Sequence, residues 1–292
     1  MKLSDFEYQA PSTPSEVVRI LASRPGEAKI LAGGQTLLPM MAYRLAQPAL
    51  LIDLKNIQGL NKIVIDQSGV RLGARTRWRD IEDDDGLVKA QPLLKEAISH
   101  VAHYQVRNRG TVGGSLAHAD PASELPCVAV TCEAEIRVLG PQGERRIKAE
   151  DFFLGALTTA LAEDEIILEV HFPAWPSNRH WAFKEFSRRP GDFALAGVAL
   201  FYDLDSQQRA CNAHIGVVGA CQCSQRLSAA EHALNGNAID HGTILAVAAA
   251  AAQQANPPGD LHGDVAYRKA LVATLLQRAL EEAANITTEN HK

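Results

Sequence analysis

Two short runs carry residues suited to handling a phosphorylated ligand. One is Ala32-Gly33-Gly34-Gln35-Thr36. The other runs from Arg107 through Gly110, Thr111, Val112, Gly113, Gly114 and Ser115 to Asp120, and holds three glycines and two arginines. A Gly-Gly pair lets a backbone approach a bulky ligand closely, and outward-facing N–H groups form a concave anion site. Taken singly, such a pair is the mark of a tight surface turn. Two of them in one domain suit the two phosphates of a dinucleotide. By composition the second run is expected to be neither an ordinary helix nor an ordinary strand. No G-x-G-x-x-G, G-x-x-x-x-G-K-[ST] or G-x-S-x-G is present, which sets aside a Rossmann site, a P-loop and a hydrolase elbow.

The other chemically suggestive residues read more plainly. His100 and His103 are three apart on a helical pattern, but no third ligand stands beside them. A helix C-terminus, where imidazole is favoured by the dipole, accounts for them. Asp83-Asp84-Asp85 reads as a solvated turn, and Cys221-x-Cys223 as incidental. The five cysteines show no disulfide framework and no iron–sulfur spacing, so no metal site is expected on this chain. Arg188-Arg189-Pro190-Gly191-Asp192-Phe193 is a turn between two strands. It suits either a charged hairpin tip or a loop reaching over a neighbouring site.

The elements that must position these runs follow from the pattern of the 292-residue chain. Its composition, 46% hydrophobic and 22% charged, is that of a globular protein of about two domains. A net charge of −5 argues against nucleic acid as a partner. There is no membrane-length apolar run and no signal-peptide pattern, so a cytoplasmic setting is expected. Thr13-Pro14-Ser15-Glu16 opens a helix with a capping box. Ala28 to Leu31 is a strand feeding the first glycine loop, and a helical segment follows at Leu37, the usual build of a phosphate cradle. Leu50 to Leu54 is a further strand. Hairpins are expected across Asp66–Gly69 and Gly140–Gly143, and helices from Thr76, over Pro92–Ala102 and over Ala122–Val130. A strand covers Glu165–Phe172. Beyond a linker at Pro173–Pro176, three antiparallel strands (Trp181–Phe186, Phe193–Leu204, Arg209–Gly219) precede three helices. The first of these is expected to carry a capping box at Ser228–Glu231. From Thr287 the chain is expected to fray.

The two glycine runs, together with Leu51-Ile52-Asp53-Leu54, Asp164-Glu165-Ile166-Ile167 and Ser187–Leu195, closely resemble the medium, FAD-binding subunits of the molybdenum hydroxylases. The resemblance extends over nearly the whole chain. Phe193 departs from it, since several relatives have Tyr there, as does Gln35-Thr36, where His-Ser or Gln-Ser is common. The resemblance implies an α+β protein. Its parts would be a two-subdomain FAD-binding domain of the PCMH type, like that of vanillyl-alcohol oxidase (1–57 and 58–176), and a C-terminal domain of a three-stranded antiparallel sheet with a helix bundle (177–292). It implies that Lys29, Ile30, Leu31, Ala32, Gly33, Gly34, Gln35 and Thr36, with Gly110, Thr111, Val112, Gly113, Gly114 and Ser115, hold the FAD pyrophosphate and ribityl region through backbone N–H groups and the hydroxyls of Thr36, Thr111 and Ser115. Asp120 would contact the adenosine half, and Ile166 would line the adenine pocket. Lys184 would sit near the flavin, with Asp192 and Phe193 controlling access to it.

The implied activity is electron relay. A large partner subunit carrying a molybdopterin-type cofactor hydroxylates the substrate. A small partner carrying two [2Fe–2S] clusters passes electrons singly to FAD on this chain, which delivers them to an external acceptor. The cofactor does the chemistry, so no catalytic residue is required of the protein. A dimer of heterotrimers acting on an N-heteroaromatic compound is the expected setting. Two other readings remain open: a stand-alone FAD-dependent oxidase or reductase, and an assembly subunit that has lost its flavin.

Overall fold

A computed structural model of the chain describes residues 2–289. Three main sheets follow one another along it. The first is fully parallel, with Leu50–Asp53 between Glu7–Gln9 and Ala28–Leu31. Leu50, Leu51 and Ile52 are all buried, as befits a middle strand covered on both faces. Its outer strand Glu7–Gln9 is exposed throughout and has no apolar residue pattern to announce it. Helix Pro14–Ser23 starts as expected: Thr13 accepts the N–H of Glu16, and the Glu16 carboxylate accepts the N–H of Thr13. Val17, Val18 and Leu21 anchor it on the sheet.

The second sheet is antiparallel, in the order Ile63–Asp66, Gly69–Gly73, Ile166–Pro173, Glu135–Gly140, Gly143–Lys148. Both expected hairpins are there, and the late strand Ile166–Pro173 inserts at the centre. Helices Trp78–Glu82, Pro92–His100, Val112–His118 and Glu124–Thr131 contribute to the core with this sheet. Val112–His118 corrects the expectation that this glycine run is irregular. Thr111, in extended conformation, caps the helix by accepting the Gly114 N–H at 3.3 Å, and Ala119 closes it in the left-handed conformation (φ 51°). The glycines cost helix propensity. At Gly113 tertiary packing outweighs that cost, because a side chain there would stand 2.7 Å from the Ala74 methyl.

The third sheet has four strands rather than three: His180–Phe186, Ala196–Leu204, Ala210–Val218 and the short edge Gln225–Arg226. Phe193, expected at a strand start, lies outside the strand, which begins at Ala196. The middle strand alternates. Val198, Leu200 and Tyr202 pack with helices Ser228–Leu234, His241–Gln254 and Val265–Glu289, whereas Ala199 and Phe201 join the core around Glu124–Thr131. The expected capping box at Ser228 is not formed. Leu227 is the cap position, and Glu231 turns inward to accept the Ile215 N–H (2.9 Å) and two Arg226 donors (2.7 and 3.0 Å). The last helix continues to Glu289, past the expected fraying point at Thr287, and 290–292 lie outside the described residues.

Helix Glu124–Thr131, buried at all eight positions, joins the second and third sheets. His214 of the third sheet donates Nδ1–H to the Thr131 carbonyl at 2.8 Å and stacks on Phe201 at 4.5 Å between ring centroids. Burial, and then the nearby Arg226 charge, pull the His214 pKa down, so the ring sits neutral. Gly216 faces the same helix, and a methyl group on it would collide with the Thr131 hydroxyl and crowd the Cys127 sulfur. Gly216→Ala is therefore expected to destabilise the fold by about 1–3 kcal/mol, the range for overpacking a close-packed core. Urea unfolding checks this; a midpoint equal to that of the parent protein contradicts it.

Candidate functional site

The site forms where the two glycine loops touch. Lys29, Ile30 and Leu31 lie on the strand Ala28–Leu31, which delivers Ala32 and Gly33 to the edge of the first sheet. There Gly33 meets the backbone of the second loop, and any side chain on it would run into the Arg109 carbonyl oxygen. One ligand can thus reach both loops. Gly34 turns away in the left-handed region (φ 73°), and Gln35 and Thr36 are exposed ahead of helix Leu37–Ala42. Among the described residues the N–H groups of Gly33, Gly34, Gln35 and Thr36 have no hydrogen-bond partner, and neither do the hydroxyls of Thr36 and Ser115.

The second loop departs from the expected use of its N–H groups. The amides of Val112 and Gly113 donate to the carbonyls of Thr76 (2.9 Å) and Ala74 (2.8 Å), and that of Gly114 to Thr111. What this loop offers outward is instead the bare, exposed Cα face of Gly114 and the Ser115 hydroxyl. Gly110 and Val112 are buried behind it. Free donors therefore lie on the first loop and free space on the second.

The remaining expected site residues each have their own surroundings. Asp120 ends the second run, with one carboxylate oxygen accepting the Ala122 N–H at 2.9 Å. Ile166 is 1% exposed, backbone included, and shares a core cluster with Ile30 and Ala32, so it lies behind the surface rather than on it. Lys184 is ion-paired with Glu282 of the last helix, a partner the sequence did not suggest. Asp192 lies in a turn, its N–H donating to Arg189, and Phe193 is 71% exposed. The turn leans on the segment after helix Pro92–His100 at Gly191, which sits against Ala102 and His103. Arg107 fixes that segment from beneath. Its Nη1 donates to the carbonyls of Val101 (3.0 Å) and Ala102 (3.2 Å), and its Nε lies 2.9 Å from Glu82. Arg107 is thus a structural clamp, whereas the Arg109 side chain is exposed. His100 packs on Phe183 and lies 3.5 Å from Glu96 rather than pairing with His103. Among the described residues no three His, Cys, Asp or Glu side chains converge as a metal site would require.

Comparison with known proteins decides the family. Residues 4–175 match the FAD binding domain in molybdopterin dehydrogenase, and residues 181–283 match the CO dehydrogenase flavoprotein C-terminal domain. The chain belongs to the FAD-binding medium subunits of the molybdenum hydroxylases. It is 39% identical to the nicotine 6-hydroxylase medium subunit of Paenarthrobacter nicotinovorans, over 97% of this chain and 99% of that one. Its fold superposes on a chain of carbon monoxide dehydrogenase from Hydrogenophaga pseudoflava with a TM-score of 0.94 at 38% identity, covering 98% of this chain and 99% of that one. It superposes on quinoline 2-oxidoreductase from Pseudomonas putida 86 with a TM-score of 0.92 at 35% identity, covering 98% and 99%. The protein is therefore the flavoprotein subunit of a multi-subunit oxidoreductase with larger and smaller partners. Among the described residues no helix is long and apolar enough to cross a membrane.

The residues present fit FAD. A dinucleotide needs donors for its phosphates and a face without side chains for close approach, and the two loops supply one each. Two further carboxyls, one of them within reach of the Asp120 charge, were passed over in the sequence because nothing local marks them. Burial pushes the Glu124 carboxyl up to about 7, with the Asp120 charge adding to it. Burial, and then the Glu124 charge, push Glu185 up to about 8, and one of its oxygens is buried without a partner. The medium subunit thus holds a proton on Glu185 at neutral pH. Because the folded pKa lies above the ordinary 4.5, the native state binds the extra proton, and stability falls as pH rises toward 8. Glu185→Gln removes its part of that dependence and leaves the part due to Glu124. Its melting temperature should match the parent near pH 5 and exceed it increasingly toward pH 8; an offset constant across this range contradicts the assignment.

Proposed function

We propose that residues 29–36 and 110–115 are the two jaws of an FAD clamp. In this reading the N–H groups of Gly33, Gly34, Gln35 and Thr36 bind the pyrophosphate, and the hydroxyls of Thr36, Thr111 and Ser115 hold the ribityl region. Gly114 leaves room for the cofactor to pass. The observation that carries this is the contact of Gly33 with the Arg109 carbonyl, which brings both loops within reach of one ligand. Asp120 binds the adenosine half, and Ile166 forms the apolar backing of the adenine pocket. Lys184 serves as a charge near the flavin, and Asp192 and Phe193 cover its outer edge. When bound, FAD accepts electrons singly from the [2Fe–2S] clusters of a small partner and hands them in pairs to an external acceptor. The protein's own part is to bind, orient and shield the cofactor, and no general base is required of it.

The reading divides the chain into 1–57, 58–176 and 177–292, in keeping with its three separate main sheets. It sets the subunit in a cytoplasmic dimer of heterotrimers. The likeness to subunits named for nicotine and quinoline enzymes favours an N-heteroaromatic substrate, bound on the large partner.

The purified chain should be yellow, with flavin absorption bands, and should co-purify with iron and molybdenum when its partners are co-expressed. A colourless protein contradicts the clamp. A flavoprotein that turns over substrate alone and binds no iron–sulfur partner contradicts the relay. Gly114→Val adds a β-branched side chain whose Cβ would stand 2.9 Å from the Thr111 hydroxyl and whose methyls would crowd the exposed face; it should weaken FAD affinity by about tenfold or more, ~1.4 kcal/mol, and a parental Kd in this variant removes Gly114 from the clamp. Phe193→Ala, which uncovers the outer edge, should speed reoxidation of the reduced flavin by about threefold or more while leaving FAD content unchanged. Stopped-flow traces that superimpose on the parent's remove Phe193 from the covering role.

A further inference from the structure

Arg268 occupies the first turn of helix Val265–Glu289, on the same buried stripe as Val272, Leu275 and Ala279, and is itself only 5% exposed. An arginine taken out of water is costly unless its donors are matched. Here the two Nη groups are matched by two backbone segments and a carboxylate at once, while Nε is buried without a partner. Nη1 donates to the Leu195 carbonyl at 2.7 Å and to the Gly219 carbonyl at 3.0 Å, and Nη2 pairs with Asp260 at 2.7 Å.

Each of these partners leads toward the candidate site. Leu195 stands two residues after Phe193, and its N–H donates to the Phe186 carbonyl at 2.8 Å, so both its backbone groups are fixed. Gly219 donates its N–H to the Pro121 carbonyl at 2.8 Å, next to Asp120. Asp260 accepts the N–H groups of His262 (2.8 Å) and Gly263 (3.1 Å), and His262 in turn lies 3.2 Å from Arg188, at the other end of the same turn. The base of the turn is thereby held on both sides, while Phe193 at its tip stays exposed.

We propose that Arg268 is a positioning residue for the flavin site: its buried guanidinium ties the turn carrying Asp192 and Phe193 to the segment carrying Asp120. The two flanks of the site then stand at a set separation while the tip of the turn remains free to move. A planar fork can satisfy two carbonyls and a carboxylate together, which the single ammonium of lysine cannot do in that geometry. The proposal rests on the flavin reading above.

The test uses the full chain loaded with FAD and two variants, Arg268→Lys and Asp260→Asn. Arg179→Lys serves as control, since Arg179 pairs with Asp203 in the same domain but touches neither flank. Hydrogen–deuterium exchange of residues 187–195 and of Gly219, and the visible circular dichroism of bound FAD, are read in each. In Arg268→Lys, exchange at both segments should rise by about tenfold, the factor that follows from losing a hydrogen bond of ~1.4 kcal/mol. The flavin dichroism should change at undiminished FAD content. Asp260→Asn should move both readouts in the same direction and Arg179→Lys neither. Parental exchange and dichroism in Arg268→Lys and Asp260→Asn overturn the proposal, as does an equal change in Arg179→Lys. If Arg268→Lys does not fold, Asp260→Asn decides by the same readouts. A parent chain that binds no FAD overturns the flavin reading and this proposal together, whereas a yellow parent with silent variants overturns this proposal alone.

Discussion

Two stretches of backbone come into contact at Gly33 and Arg109, and much of the molecule is arranged to let them. The contact tolerates no side chain on one partner, so both segments must be held to a fraction of an ångström. The first is held by its strand, whose parallel partner Leu50–Asp53 is buried to its core. The second is held by the carbonyls of Ala74 and Thr76, which capture the first amides of helix Val112–His118. Helix N-termini ordinarily offer such amides to an anion. Here they dock the helix onto the second sheet, and the donors left for a phosphate are those of the opposite loop. The two glycine runs look alike in sequence, yet one presents hydrogen bonds and the other presents space.

The third sheet is bound to the second through a helix with no exposed face. Glu124–Thr131 lies between two sheets, with Gly216 and the neutral ring of His214 against its end. Its first residue is a carboxyl whose burial outweighs the help of a backbone hydrogen bond and the His100 charge, and at Glu185 burial and the Glu124 charge act together. Water is the stabilising partner that both groups lack. Proton uptake takes its place, which is why their behaviour ties the stability of this joint to pH.

Turns and clamps complete the arrangement. Arg107 and Arg268 each hold pairs of backbone carbonyls, the first under the segment 101–102 and the second at Leu195 and Gly219. Charge-assisted donors of this kind are strong and directional. They allow segments without regular structure to keep fixed positions beside the proposed cofactor site, while exposed tips such as Phe193 stay free.

Much of this was legible in the residues themselves. The capping box at Thr13–Glu16, the hairpins at Asp66–Gly69 and Gly140–Gly143, and the apolar stripe of helix Pro92–His100 are local matters, decided by turn chemistry and periodicity. The two glycine runs marked the family and the cofactor for the same reason: a close backbone approach demands glycine wherever it occurs. Contacts between distant segments were decided only by the tertiary structure. Glu231 reads as a capping residue until a strand sixteen residues earlier presents the Ile215 amide to it. Arg107 and Arg268 read as ordinary basic residues until the carbonyls they serve are brought beside them. Glu124 and Glu185 become unusual acids only once the sheets close over them. Local conformational preference is written in adjacent residues, whereas burial, and the hydrogen bonds and proton affinities that follow from it, depend on which parts of the chain exclude water together.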